Sequence, residues 1–433
     1  MESTKVNNFR FLLLLLPGIL FLQPAPAQDT LRLEECYRLA EKNYPLVLQS
    51  GLLDQASTLR IQNLGKNFLP QFTVNGSASY QSAVTSINLD LPKGFPAIDF
   101  PSPKKDMYKV TLDVNQSIYD GRATRRQQEL ETTGLRADTK SAEVEMYKLR
   151  DRVNQLYFTL LLLDRNEQLL RSNRERVEAK LAEIRSGISN GSVPAMNADL
   201  LLVERVRLDQ QLDETAADRA TAIGMLAELT GTQIRGNAPV AMPSPVLPDT
   251  VFEDKRPEKD LFAIQMQRTG TMRDLVTVKW NPKVFAFGQA GYGRPGLNML
   301  DDSFTPWWMV GAKVTWSPWN WNQNKNEKKI LAVQEDIIRN QQEIFEKNQR
   351  ISAEKELGEM RKCAGLLVQD REIIVLREKI TKASSSQLDN GVITSSDYIA
   401  RLSEETQARL NLEIHKIQLV KAKMSYLFTL GKL

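Results

Sequence analysis

The residues able to carry covalent or acid–base chemistry are few: one histidine, His415, and two cysteines, Cys36 and Cys363, in a chain of 433. One histidine excludes H-E-x-x-H zinc chemistry, and no G-x-x-x-x-G-K-[ST] phosphate loop is present. His415 falls on a helical run and reads as a helix-surface residue. Two cysteines do not make a disulfide scaffold, although the count allows one bridge. Acidic residues are abundant on the helical runs, so a carboxylate pair stays open as an alternative. No enzyme, no cofactor and no metal site are expected. A formal net charge of +4 with 25% charged residues gives no face suited to nucleic acid. The functional residues must therefore be sought in the architecture.

Two turns stand out. SNGSVPAMNA carries Asn190-Gly191, and DNGVITSSDY carries Asn390-Gly391. At an offset of 200, Leu202 falls on Leu402, Glu204 on Glu404, Leu212 on Leu412 and Gly231 on Gly431. Upstream, Val110 falls on Val310, Val114 on Val314 and Tyr119 on Trp319. Ungapped register over this length marks a duplication. The first repeat is expected over 28–231 and the second over 257–433. A proline-rich linker or surface strap, 232–256, lies between them.

Each repeat reads as a helical run, two strands, a very long helix, the Asn-Gly turn and a last helix. The first helical runs cover 31–66 and 257–279. The long ones, Arg122–Ser189 and Asn322–Asp389, contain no proline. At about 1.5 Å per residue each would be on the order of 100 Å long, so they must pack side by side as coiled coils. Ile414, Ile417, Val420, Met424 and Leu427 form one apolar stripe on the final helix.

The strands are expected in hairpins over about 70–120 and 282–321. Val110, Leu112 and Val114 alternate with Thr111, Asp113 and Asn115. In WMVGAKVTW, Trp308, Val310, Ala312, Val314 and Trp316 share a face opposite Lys313 and Thr315. Trp308 and Trp316 are about 26 Å apart along the strand, or about 20 Å of depth once tilted, the height of an outer-membrane apolar band. All six tryptophans lie between Trp280 and Trp321. A half-buried sheet of a soluble domain and a sugar-binding aromatic surface are the alternatives. Four strands cannot close a barrel, and lipid tolerates no open sheet edge. Strands in a membrane would thus require two or three chains. At the N-terminus, Lys5 and Arg10 precede FLLLLLPGILFL and QPAPAQ, which reads as a signal peptide over 1–27. No segment is long enough for a transmembrane helix.

LRLEECYRLAEKNYPLVLQS, FLPQFTV, SIYDGRATRRQQE, SPWNWNQNKNEKK and the two Asn-Gly turns, in this duplicated order, resemble the TolC-like outer-membrane efflux proteins. The resemblance covers essentially the whole mature chain. It implies a mainly α protein with membrane β: long antiparallel coiled-coil hairpins, with four strands per chain in a trimeric twelve-stranded barrel above an α-helical tunnel. It implies a passive exit duct of a tripartite efflux or type I secretion system. The partners would be a homotrimer, a periplasmic membrane-fusion adaptor, an inner-membrane transporter and outer-membrane lipid, and the location would be the outer membrane, reaching into the periplasm. On the resemblance, Asn190, Gly191, Ser192, Val193, Asn390, Gly391, Val392 and Ile393 form adaptor-docking tips. Asp397 matches one of two entrance aspartates found in some members, and the second position is Ala400. Trp307, Trp308, Trp316 and Trp319 would form an aromatic girdle, and Asp113, Asn115 and Lys313 would face the lumen. A periplasmic coiled-coil scaffold that never enters the membrane is the alternative function.

Overall fold

The computed structural model describes residues 30–85, 104–190, 193–247 and 255–433. The signal-peptide reading, Gly191, Ser192 and part of the linker lie outside the described residues. Seven helices and four strands are described: α1 (Leu33–Asn43), α2 (Leu46–Gly65), β1 (Gln71–Tyr80), β2 (Asp106–Tyr119), α3 (Ala123–Ser189), α4 (Met196–Thr230), α5 (Pro257–Val278), β3 (Lys283–Arg294), β4 (Thr305–Thr315), α6 (Gln323–Asp389) and α7 (Ser395–Thr429). The fold is mainly α with a single antiparallel sheet. The long helices α3 and α6 have 67 residues each and their partners α4 and α7 have 35 each, so the two halves are metrically alike.

The first helical run differs from its expectation of one continuous helix. It breaks between α1 and α2, where Tyr44 is extended (φ −68°, ψ 133°) ahead of Pro45. Proline disfavours the helical conformation in the residue before it and has no N–H to continue the ladder. The break turns α1 inward: Leu33, Cys36, Tyr37 and Ala40 are buried against Leu149, Val153, Tyr157 and Leu161 of α3. The proline-rich strap is pinned at the same level. Leu31 bridges Val240 in parallel, and the Tyr157 hydroxyl reaches the carbonyls of Leu31 (2.8 Å) and Ala241 (2.7 Å). A second apolar cluster, with Leu181, Ile184, Leu201, Leu388, Tyr398 and Leu402, closes the far end of the helices.

The sheet order is β1-β2-β3-β4, with the repeats joined by β2–β3 pairing. Both outer edges, β1 and β4, are unpaired among the described residues. No helix among the described residues is long and apolar enough to cross a membrane.

Candidate functional site

Register assigns the two faces of the sheet. Partners in an antiparallel ladder share a face, so the pairing draws rows across all four strands. Val74–Leu112–Ala290–Trp308 and Phe72–Val114–Gly288–Val310 are rows of one face. Asn75–Thr111–Gly291–Trp307 and Thr73–Asp113–Gln289–Met309 belong to the other. On the first face Phe72, Val74, Trp308 and Val310 are all 69–72% exposed, with no protein to cover them. The second face satisfies its own polar groups. The Asp113 carboxylate accepts from Asn75 Nδ2 (2.5 Å), Thr111 Oγ1 (3.1 Å) and Gln289 Nε2, tying three strands together. Asn115 and Lys313 share this polar face. Most of the sheet's polar side chains are thus gathered on one side, with Phe285 and Phe287 among them, and the other side is mainly apolar.

Trp308 lies on the apolar face, Trp316 continues its alternation just past β4, and Trp319 is exposed beyond the strand end. Trp307, expected beside them, does not. It belongs to the polar rows, is 7% exposed, and packs over Gly291 with the Lys109 ammonium 4.4 Å from its ring centroid. Consecutive strand residues face opposite ways, so adjacent tryptophans cannot both belong to one girdle.

At the far end of the helices, α6 stops in a Schellman turn. Gly391 (φ 70°) donates to Leu388 O at 3.1 Å and Val392 donates to Gln387 O at 2.8 Å. Asn390 closes the helix with ordinary φ, its side-chain amide donating to Ser386 O (2.7 Å). The chain restarts at Thr394, whose hydroxyl accepts from the Asp397 N–H while the Asp397 carboxylate accepts from Thr394 N (3.1 Å) and Oγ1 (2.7 Å). These bonds from the Thr394 side chain and then its backbone hold the Asp397 carboxyl below the usual carboxylate range. Asp397 is committed to its own helix start.

Of the tip residues, Asn190, Asn390, Gly391 and Val392 are exposed. Val193 and Ile393 instead pack on the apolar cluster beneath. The two tips are joined, because Asn197 Oδ1 of α4 accepts from the buried Ser395 N–H of α7 at 2.9 Å. Two further links between the hairpins escaped the sequence reading. Arg176 of α3 grips Glu405 of α7 in a fork at 2.9 and 3.0 Å, and Glu405 is only 2% exposed. Lys180, 4% exposed, donates to Asp389 (2.6 Å) and Glu183 (2.9 Å). Burial acts to lower the Lys180 pKa, but these carboxylates outweigh it and raise it. Their only sequence signal was charge at helix positions that also carry apolar neighbours.

The chemically capable residues are occupied structurally. Cys36 and Cys363 are both free and buried, and burial pushes the Cys36 thiol up to about 12. His415 is half-buried, on the edge of the helix surface. Its Nδ1 lies 2.6 Å from Asp370 Oδ2 across the α6–α7 seam. Gly187-Ile188-Ser189-Asn190-Gly191 matches the G-x-S-x-G pattern, but Ser189 ends a long helix and donates to Ser186 O. A nucleophile elbow needs a strand-to-helix turn. No group of three or more metal-ligating side chains occurs among the described residues.

No protein-family model and no curated protein matches the chain. Solved structures do. The MtrE outer membrane channel of Neisseria gonorrhoeae in its open state aligns with TM-score 0.65 at 15% identity, over 92% of this chain and 89% of that one. The CmeC outer membrane channel of Campylobacter jejuni aligns with TM-score 0.63 at 14% identity, over 92% and 85%. CusC, studied for its folding and transmembrane channel formation, aligns with TM-score 0.66 at 13% identity, over 98% of each chain. The fold is that of the TolC-like outer-membrane channels.

Proposed function

We propose that this chain is one third of an outer-membrane exit duct, working passively beneath a periplasmic adaptor and an inner-membrane transporter. One observation carries the reading: a sheet mainly apolar on one face, mainly polar on the other, with both edges unpaired among the described residues. A face of exposed Phe72, Val74, Trp308 and Val310 suits lipid, and lipid requires closure. Pairing β4 of one copy with β1 of the next closes twelve strands from three chains, with Asp113, Asn115 and Lys313 lining the lumen.

The helices support the same join. Ile330, Ile337, Ile344 and Ile351 recur every seventh residue on α6 and are exposed, as are Leu48, Leu52 and Leu59 on α2. Because α2 runs into β1 and β4 runs into α6, the copy that completes the sheet also covers these stripes. On this reading the first repeat is 28–231, the second 257–433, and the tips face the adaptor through the exposed Asn190, Asn390, Gly391 and Val392 and, by their place in the sequence, Gly191 and Ser192. Trp308, Trp316 and Trp319 form the girdle.

The test is the native mass of protein extracted from the outer-membrane fraction in mild detergent. A detergent-dependent trimer is expected. A water-soluble monomer or dimer would refute the duct and favour a periplasmic coiled-coil scaffold.

A further inference from the structure

The two junctions where a strand gives way to a long helix are built differently. In the first repeat, Asp120 accepts from Arg122 N (2.9 Å) and Thr124 N (2.6 Å), so a carboxylate of the chain itself neutralises the start of α3. The residue at the matching place before α6 is Asn320, and among the described residues no side chain caps the first turn of α6. In place of that carboxylate there is a hollow of about 450 Å³ lined by Trp280, Asn320, Asn324, Lys325 and Lys328. Neither lysine has an ion-pair partner among the described residues, and the Trp280 indole N–H has no hydrogen-bond partner there. Glu327, the nearest acid on the helix, is taken up by Gln323 at 3.3 Å.

The surroundings are aromatic. Trp316, Trp319 and Trp321 are 60%, 72% and 84% exposed and follow directly on the apolar face of β4. Trp321 holds a left-handed conformation (φ 50°) where the first repeat has Gly121 (φ 73°). Gly121 is needed, since a side chain there would run into Asn281. Trp321 has no such freedom and still occupies the strained position.

We propose that this junction is a headgroup site for an anionic glycerophospholipid of the periplasmic-side leaflet. The phosphodiester takes the place that Asp120 fills in the first repeat, held by Lys325 and Lys328, and the three tryptophans pack along the glycerol and upper acyl region. The inference rests on the outer-membrane reading above. It is favoured by continuity with the lipid-facing strand surface and by unpaired positive charge at its border.

The test uses the full-length trimer in nanodiscs of phosphatidylethanolamine, doped with equal fractions of dibrominated phosphatidylglycerol or dibrominated phosphatidylethanolamine. Bromine quenches tryptophan on contact. Quenching by the phosphatidylglycerol probe is expected to half-saturate at a fraction on the order of tenfold lower. Lys325→Gln/Lys328→Gln should erase that preference. So should Asn320→Asp, which restores the internal carboxylate of the first repeat without removing a lysine. Equal quenching in the unaltered protein would overturn the proposal, as would a preference surviving both changes. Loss of trimer in the lysine variant would assign the lysines to a neighbouring copy, and erasure of the preference by inorganic phosphate would assign the site to a free anion; either overturns it. No quenching by either lipid would instead refute the membrane reading beneath it.

Discussion

The face assignment makes a graded prediction at β4. Ala312 lies midway between Trp308 and Trp316 on the apolar face, is exposed, and pairs with Ala286. A lysine at the bilayer midplane costs about 2–4 kcal/mol, hence roughly 6–12 kcal/mol for the three copies in one barrel. Trp316 is four residues further along, about 13 Å of strand and roughly 10 Å of depth once tilted. A lysine there can reach the interface, where the cost falls to about 0–1 kcal/mol. Met309 belongs to the polar rows with Asp113 and Gln289, so Met309→Lys should cost almost nothing. The assay is the fraction of each variant recovered from outer membranes as trimer, at matched expression. Ala312→Lys should leave little assembled, Trp316→Lys most of it, and Met309→Lys should match the unaltered protein. If Met309→Lys were the damaging change, the faces would be inverted. If all three assembled equally, the sheet would not lie in lipid.

Two other outcomes follow from the helical end. Gly391→Val forces a β-branched residue into φ 70° at about 1–2 kcal/mol, yet its Cβ meets nothing within 4 Å. Trimer should be retained while export falls, and loss of trimer on native gels would make the turn a folding element only. Arg176→Met leaves the buried Glu405 carboxylate with Arg409 (Nε at 3.1 Å) as its cationic partner, so the cost should fall below the about 3–5 kcal/mol of a fully broken buried pair, the more so because Arg176 is itself 37% exposed. Arg176→Met/Glu405→Leu should recover most of that loss. Burial acts to raise the Glu405 pKa, but hydrogen bonds from Arg176 and Thr381 outweigh it and leave it lowered. The unfolded chain therefore binds the extra proton, so this contribution is full at neutral pH and is lost as pH falls through the carboxylate range. Melting curves from pH 7 to pH 3 should show that acid limb in the unaltered protein and a flatter one in Arg176→Met.

Much of this architecture follows from sequence because its determinants are local. Helix length is legible where 67 residues pass without a proline, and a helix stop is legible where Gly391 alone can take a positive φ. Strand alternation separates Val110, Leu112 and Val114 from Thr111, Asp113 and Asn115 without reference to any partner. The same local rule applied residue by residue places Trp307 opposite Trp308. Reading the two as one aromatic cluster obscured it.

Tertiary structure decided what depends on residues distant in the chain. Whether the two hairpin tips meet depends on Asn197 of α4, whose Oδ1 accepts from the buried Ser395 N–H 198 positions further on. That His415 turns into the α6–α7 seam depends on Asp370, 45 positions away on the helix packed beside it. The pairing of β2 with β3, which makes two hairpins one sheet, joins residues more than 160 positions apart. The Arg176–Glu405 fork spans 229 positions. A helix or strand announces its own existence through period and punctuation. Its neighbours are chosen by which apolar faces can be covered together, and that is settled only when the whole chain is packed.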